Sequence, residues 1–298
     1  MRMNFMVAVI SALSLTSVAH ATFQSESFLP ENNLWMLDDP AGPSNITEQQ
    51  FNDIVKQVTG VYEPVFKSFG GTMRVSAKWT DSQVNAYARQ LGSLWMLNFF
   101  GGLARRPEIS PDGFALVICH ETGHHLGGFP FVESWAANEG EADYFATLVC
   151  GKKLWANDKA ENAKAAATVS LPAKQACDTS YPGQDERNLC YRIANASQTL
   201  GNLLAALGQE AVPAYDTPDK TVVTVTDNQH PAGQCRLDTY LAGAICTAKW
   251  DEKLIPGRNH PDGQASAGAE RQAGEHSCMR ASGYEFGIRP ACWFKPGI

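Results

Sequence analysis

Ser110-Pro111-Asp112-Gly113-Phe114-Ala115-Leu116-Val117-Ile118-Cys119-His120-Glu121-Thr122-Gly123-His124-His125-Leu126-Gly127-Gly128 decides how the rest of this chain is read. Ser110 is a good N-cap, Pro111 suits the first helical position, and Asp112 puts negative charge on the first turn. The apolar run 114–126 predicts a buried helix that stops at Gly127-Gly128. Three histidines and a glutamate on such a helix need partners, because burying a polar group without one costs roughly 2–7 kcal/mol. His120 and His124 stand one turn apart, about 6 Å along the axis and about 40° in azimuth, so both imidazoles can reach one ion. Glu121 sits to the side, able to reach a water on that ion without ligating it.

Zinc is the expected ion, one per chain. It brings a bound water to a pKa of about 7 and polarises a carbonyl, with Glu121 as the catalytic base. Gly123 leaves a helix position bare, so another backbone or a substrate can come close. His125 directly follows a ligand, turns away from the metal and is expected to be structural. A catalytic zinc takes three protein ligands and keeps one position open. The candidate acids are Glu133, Glu139, Glu141 and Asp143. On a helix expected over residues 134–148, Glu139 and Asp143 share a face and Glu141 points nearly opposite. Glu139 is therefore the expected third ligand, and Asp143 the acceptor for the second ring nitrogen of a ligand histidine. Glu141 is expected to be solvated or paired along its helix, and Glu133 lies too near the Gly/Pro turn.

Upstream, Thr47 and Gln50 form a capping box ahead of Phe51, Ile54, Val55, Val58, Tyr62 and Val65, a helix ended by Gly70-Gly71. Residues 73–79, 84–89 and 93–100 read as three strands of a small antiparallel sheet. Residues 22–46 are polar and rich in Pro and Gly, and are expected to wrap the surface. Downstream, helices are expected at about 156–169, 185–207 and 238–249, and a strand over the β-branched run 221–226. The last fifty residues show few periodic signals.

The 298-residue chain is 44% hydrophobic and 18% charged with net charge −7 and no block of Lys or Arg, which argues against nucleic acid or an anionic membrane surface as partner. Residues 1–21 read as an export signal: Arg2, an apolar stretch, then Ala19-His20-Ala21 before a cleavage point. The expected mature chain, residues 22–298, is one exported domain, periplasmic or secreted, with no stable membrane insertion once the signal is removed; its oligomeric state stays open. Eight cysteines in an exported chain predict disulfides. The expected pairs are Cys177–Cys190, Cys235–Cys246, Cys278–Cys292 and Cys119–Cys150.

Four stretches resemble the gluzincin metallopeptidases that include the CAAX prenyl proteases, HtpX and BepA. They are residues 84–103 beginning Val84-Asn85-Ala86-Tyr87-Ala88, the helix at His120, Glu139-Gly140-Glu141-Ala142-Asp143, and His230-Pro231 with Arg236 six residues after the histidine. The resemblance covers about residues 45–250. It implies an α+β, mainly helical, zincin-like fold, with the zinc helix beside the small sheet; residues 251–298 lie outside it and read from their Gly/Pro/Arg-rich composition as a disulfide-tied C-terminal appendage. It also implies that His230 lies by the zinc, stabilising an oxyanion or gating the open position, and that Arg236 helps to order the site. Two features depart from the family: only 14 residues separate His124 from Glu139, and the final fifty residues have no counterpart. A trimmed segment beside the zinc implies an open cleft for a peptide or unfolded protein, held by strand addition along an edge near residues 94–99. The expected activity is zinc endopeptidase. A zinc amidase acting on cell-wall peptides and a non-catalytic zinc-stabilised binding or chaperone module are the alternatives.

Overall fold

A computed structural model describes residues 26–39, 42 and 44–297. The export-signal expectation for residues 1–21 lies outside the described residues. The fold is α+β. In chain order it runs β1 (Glu26–Ser27), α1 (Glu48–Ser68), β2 (Thr72–Lys78), β3 (Ala86–Leu91), β4 (Leu94–Phe100), α2 (Gly101–Ala104) and α3 (Pro111–Leu126). There follow α4 (Glu139–Phe145), a π-helical segment Ala146–Cys150, α5 (Gly151–Trp155), α6 (Lys159–Lys164), α7 (Leu171–Ser180), α8 (Gln184–Gly208), α9 (Gly233–Ile245) and α10 (Ala267–Gly274).

The local signals act as their chemistry dictates. Thr47 Oγ1 accepts from Gln50 N–H at 3.2 Å while Gln50 Oε1 accepts from Thr47 N–H at 2.9 Å, and α1 buries Phe51, Val55, Val58, Tyr62 and Phe66. Ser110 Oγ accepts from Gly113 N–H at 3.0 Å at the start of α3. Arg192 of α8 clamps Asp112 in that first turn through Nε at 2.7 Å and Nη2 at 2.8 Å.

The sheet is mixed, ordered β1-β3-β4-β2, rather than wholly antiparallel. A tight turn at Gly92, with φ of 58°, folds β3 back on β4. The end of α1 then delivers Thr72 beside Ser93, where Thr72 N–H donates to Ser93 O at 2.6 Å, so β2 and β4 start together and run parallel. This also corrects the expected edge: β4 lies between β3 and β2, so residues 94–99 have no free edge to offer a peptide. Ala86, Ala88, Leu97 and Phe99 are buried, and the core continues through Phe114 of α3, which stacks on Phe51 at 5.1 Å.

Other expectations shift in ways that bear on the site. The helix expected from residue 134 begins at Glu139, because Asn138 caps it, its side chain accepting from Glu141 N–H at 3.0 Å. Residues 221–226 form no strand; Val223 and Asp227 each donate one backbone bond to the C-terminal segment, at Ala291 and Trp293, and Val222 and Val225 stay exposed. The helix expected at 238–249 starts earlier, at Gly233, and ends at Ile245. The helix expected over 156–169 breaks into α6 and a 3-10 turn. Residues 26–39 do more than wrap the surface: β1 joins the sheet, and Phe28 is fully buried. Cys119–Cys150 and Cys177–Cys190 pair as expected, but the other four cysteines pair as Cys235–Cys292 and Cys246–Cys278. Proximity in sequence misleads there, since Cys235 and Cys246 sit at opposite ends of α9. Four disulfides fit a protein of an oxidising compartment. Among the described residues no helix is long and apolar enough to cross a membrane.

Candidate metal centre

Three side chains converge from two helices. His120 Nε2 and His124 Nε2, both from α3, lie 3.1 Å apart. Glu139, the first residue of α4, brings Oε2 to 3.3 Å from His120 Nε2 and Oε1 to 3.5 Å from His124 Nε2. All three residues are buried. Four-coordinate zinc with bonds of about 2.0–2.2 Å holds its ligand atoms about 3.3–3.5 Å apart, so this spacing suits such an ion. Each ring is oriented through its other nitrogen: Nδ1 of His120 meets Asp143 Oδ1 at 2.7 Å, and Nδ1 of His124 meets Ala137 O at 2.9 Å. With protons on both Nδ1 atoms, two Nε2 lone pairs and a carboxylate face one another. That arrangement is repulsive. In the metal-free protein a proton on His120 Nε2 offsets the repulsion, and a metal ion would take its place.

Close approach of α3 and α4 makes the convergence possible. A Cβ on Gly123 would lie 2.9 Å from Ala142 O and 3.0 Å from Ala142 Cα, so only glycine admits α4 at this distance. The 14-residue connection is pinned by Ala137 N–H to His124 O at 2.9 Å and Asn138 N–H to Pro130 O at 2.9 Å.

Glu121 is fully buried, and neither carboxylate oxygen has a hydrogen-bond partner among the described residues. Burial pushes its pKa well above the usual carboxylate range; the positive charge of His120 pulls it down, and Glu139 pushes it up again. A dication nearby would reverse that balance and restore the carboxylate. In the metal-free protein, burial works against charge on His120, yet Asp143 and Glu139 outweigh it and raise its pKa to about 9. Burial drives His124 down to about 4. For Glu139, burial opposes ionisation but the two imidazoles prevail, lowering it to about 2.

Behind the ligands, Arg236 holds Asp143 by two bonds, Nε to Oδ2 at 2.7 Å and Nη2 to Oδ1 at 2.8 Å, and donates to Phe28 O at 2.6 Å. Tyr240, one turn along α9, accepts from Arg236 Nη2 at 3.2 Å. His230, about a quarter exposed, lies with Nε2 3.5 Å from Glu139 Oε1 and 2.7 Å from Ser27 O. His125 is seated among aromatic rings, stacked on Trp95 at 5.2 Å with Trp135 at 4.9 Å, and burial lowers its pKa to about 3. Its position fits a structural role.

All seven residues singled out from sequence, His120, Glu121, His124, Glu139, Asp143, His230 and Arg236, thus come together. Glu141 is the correction. It is buried and paired with Arg289 Nε at 2.5 Å, because the C-terminal segment covers the outer face of α4. There Trp293 packs so closely on Gly140 that a Cβ would lie 2.2 Å from the indole. Arg289, Trp293, Phe28 and Glu26 were not singled out from sequence; Gly140 inside a ligand-bearing helix was the available signal that something large covers that face. Among the described residues one other cluster, Asp219 with Cys235 and Cys292, brings metal-compatible residue types together, but its cysteines form a disulfide and offer no thiolate. Comparisons with protein-family models, curated proteins and solved structures find no match to this chain.

Proposed function

We propose that this chain is an exported zinc-dependent endopeptidase of gluzincin type, acting on peptide or unfolded-protein substrates. The observation that carries the reading is that both Glu121 oxygens, buried beside a two-histidine, one-carboxylate group, have no hydrogen-bond partner among the described residues. A purely structural zinc fills its positions with protein ligands and has no use for an extra buried acid that ligates nothing. When bound by His120, His124 and Glu139, zinc supplies Lewis acidity and acidifies a coordinated water.

The remaining steps belong to the chain's own residues. Glu121 accepts a proton at an Oε atom from the water that attacks the peptide carbonyl carbon, then passes it to the leaving amine nitrogen as the C–N bond breaks. His230 donates a hydrogen bond from Nε2–H to the carbonyl oxygen as negative charge grows there, and keeps its proton. Asp143, charged because Arg236 neutralises it, keeps His120 in the tautomer that presents Nε2 to the metal.

The test is metal content together with proteolysis. Purified protein should hold about one zinc per chain and digest casein until a chelator is added. Glu121→Gln should keep the zinc and lose activity by roughly 10²–10⁴-fold, the range of general base catalysis. Undiminished digestion by that variant would overturn the assignment. Cleavage of peptidoglycan fragments but not casein would move the reaction to a cell-wall amidase.

A further inference from the structure

The outer strand of the sheet is a piece of the chain held in the way an extended substrate would be. Residues 26–29 lie antiparallel on β3, with Glu26 opposite Ala88 and Ser27 opposite Tyr87. Three successive carbonyls are each bound by a side-chain donor. Ser27 O accepts from His230 Nε2 at 2.7 Å, Phe28 O from Arg236 Nη1 at 2.6 Å, and Leu29 O from Asn85 Nδ2 at 3.1 Å. Phe28 N–H donates to Ala86 O at 3.1 Å, and Leu29 N–H to Asn85 Oδ1 at 3.1 Å. Recognition through the main chain is the chemistry of strand addition, which gives affinity with little sequence preference.

The location matters as much as the bonding. Phe28 sets its ring edge-on to His120 at 5.3 Å, and strand alternation turns Glu26 to the same face. The Ser27 peptide group is gripped by His230, itself 3.5 Å from Glu139. A peptide carbonyl of the chain therefore sits beside the candidate metal ligands, on the donor assigned above to the substrate carbonyl. The segment is graded in strength along its length. Phe28 and Leu29 are buried and fixed by Arg236 and Asn85, whereas Glu26 and Ser27 are only half-buried and form a strand of two residues.

We propose that Glu26–Ser27 is an autoinhibitory strap: it occupies the substrate's place on β3, and a peptide binds by lifting it away while Phe28 and Leu29 remain as the anchor. The proposal rests on the endopeptidase reading for what the incoming strand is. Displacement costs little, because the substrate strand remakes the bonds to β3 and His230 that the strap gives up.

Ser27→Cys with Tyr87→Cys places two thiols directly across the pair, so oxidation locks the strap and mild reduction frees it. The probe is fluorescently labelled casein, and the background is zinc-loaded Glu121→Gln, so that binding is read without cleavage; Glu121→Gln alone, treated with the same reductant, is the control. Locked protein should bind labelled casein at least tenfold more weakly than freed protein, with one zinc per chain in both states. Separately, Glu26→Pro in the otherwise intact chain removes a donor from the hydrogen-bonded pair with Ala88 and should lower KM for casein roughly fivefold, the worth of about one net backbone hydrogen bond. Equal binding in the locked and freed states, or no binding in either, overturns the strap, as does an unchanged or raised KM. Lock-dependent binding in a chain whose zinc-loaded parent cleaves nothing would instead overturn the peptidase reading and leave the strap standing.

Discussion

Two acids two residues apart, Glu139 and Glu141, show how the same side chain takes opposite tasks from the direction it faces. Glu139 points at two imidazoles and has no hydrogen-bond partner for either oxygen among the described residues, so it is poised to receive a cation. Glu141 points the other way, into Arg289, and both members of that pair are buried. Removing each should therefore fail differently. Glu139→Ala should lower zinc affinity by several orders of magnitude as one of three ligands is lost, and should also take some stability from the metal-free fold at neutral pH, where Glu139 and the His120 imidazolium attract each other. Glu141→Ala should cost about 3–5 kcal/mol of folding stability, because it strands a buried guanidinium. Chelator competition and denaturant unfolding on the two variants separate these outcomes; if Glu141→Ala instead abolished zinc binding in a fully stable protein, the third ligand would need reassignment. Gly123 tests the same geometry from α3. Gly123→Ala pushes a methyl into the Ala142 backbone, and overpacking of this kind costs about 1–3 kcal/mol. The shift of α4 should also weaken zinc binding, since Glu139 rides on that helix.

Elements whose signals are local were legible in the sequence. α1 and α3 start where Thr47 and Ser110 cap them, and the i, i+4 spacing of His120 and His124 is a property of any helix. Glu139 and Asp143 could be sorted from Glu141 by helical azimuth alone. What stayed hidden was set by contacts between distant segments. The parallel pairing of β2 with β4 follows from where α1 releases the chain, and no periodicity within residues 72–78 encodes it. The run 221–226 has β-branched content but lies along the C-terminal segment with no strand partner, so propensity had nothing to pair with. Arg289 and Trp293 read as unremarkable residues in a Gly/Pro-rich tail, yet they support the outer face of α4. That tail is joined to α9 by Cys235–Cys292, so one covalent link connects the support of Glu139 to the helix that carries Arg236. A Glu141→Gln, Arg289→Met pair makes the coupling measurable. Each single change should destabilise the protein, and the double should recover a large part of the loss, because a buried ion pair replaced as a unit leaves no lone charge. A double-mutant cycle in urea with a coupling energy near zero would show that the tail does not support α4 through this contact.

At the scale of the molecule, the question is what the metal does for a fold that also carries four disulfides. Small zinc modules unfold without their ion because ligation is most of their folding free energy. This chain differs, having a large core that runs from α1 through the sheet and α3 to α8, with α3 itself stapled to the π-helical segment by Cys119–Cys150. The site nevertheless carries a cost without its ion, since neither Glu121 oxygen has a hydrogen-bond partner among the described residues and burial works against charge on both Glu121 and His124. Metal removal should therefore leave a folded protein of lower stability. A ligand present at about a thousand times its Kd stabilises the native state by about 4 kcal/mol, and in a domain of this size each kcal/mol moves Tm by roughly 2–4 °C. Calorimetry should accordingly show Tm falling by roughly 10 °C on chelation and returning when zinc is restored, with far-ultraviolet circular dichroism unchanged below the transition. Complete unfolding on chelation would mean that the metal, and not the disulfide-tied core, carries the fold. An unchanged Tm would mean that His120, His124 and Glu139 do not bind zinc at all.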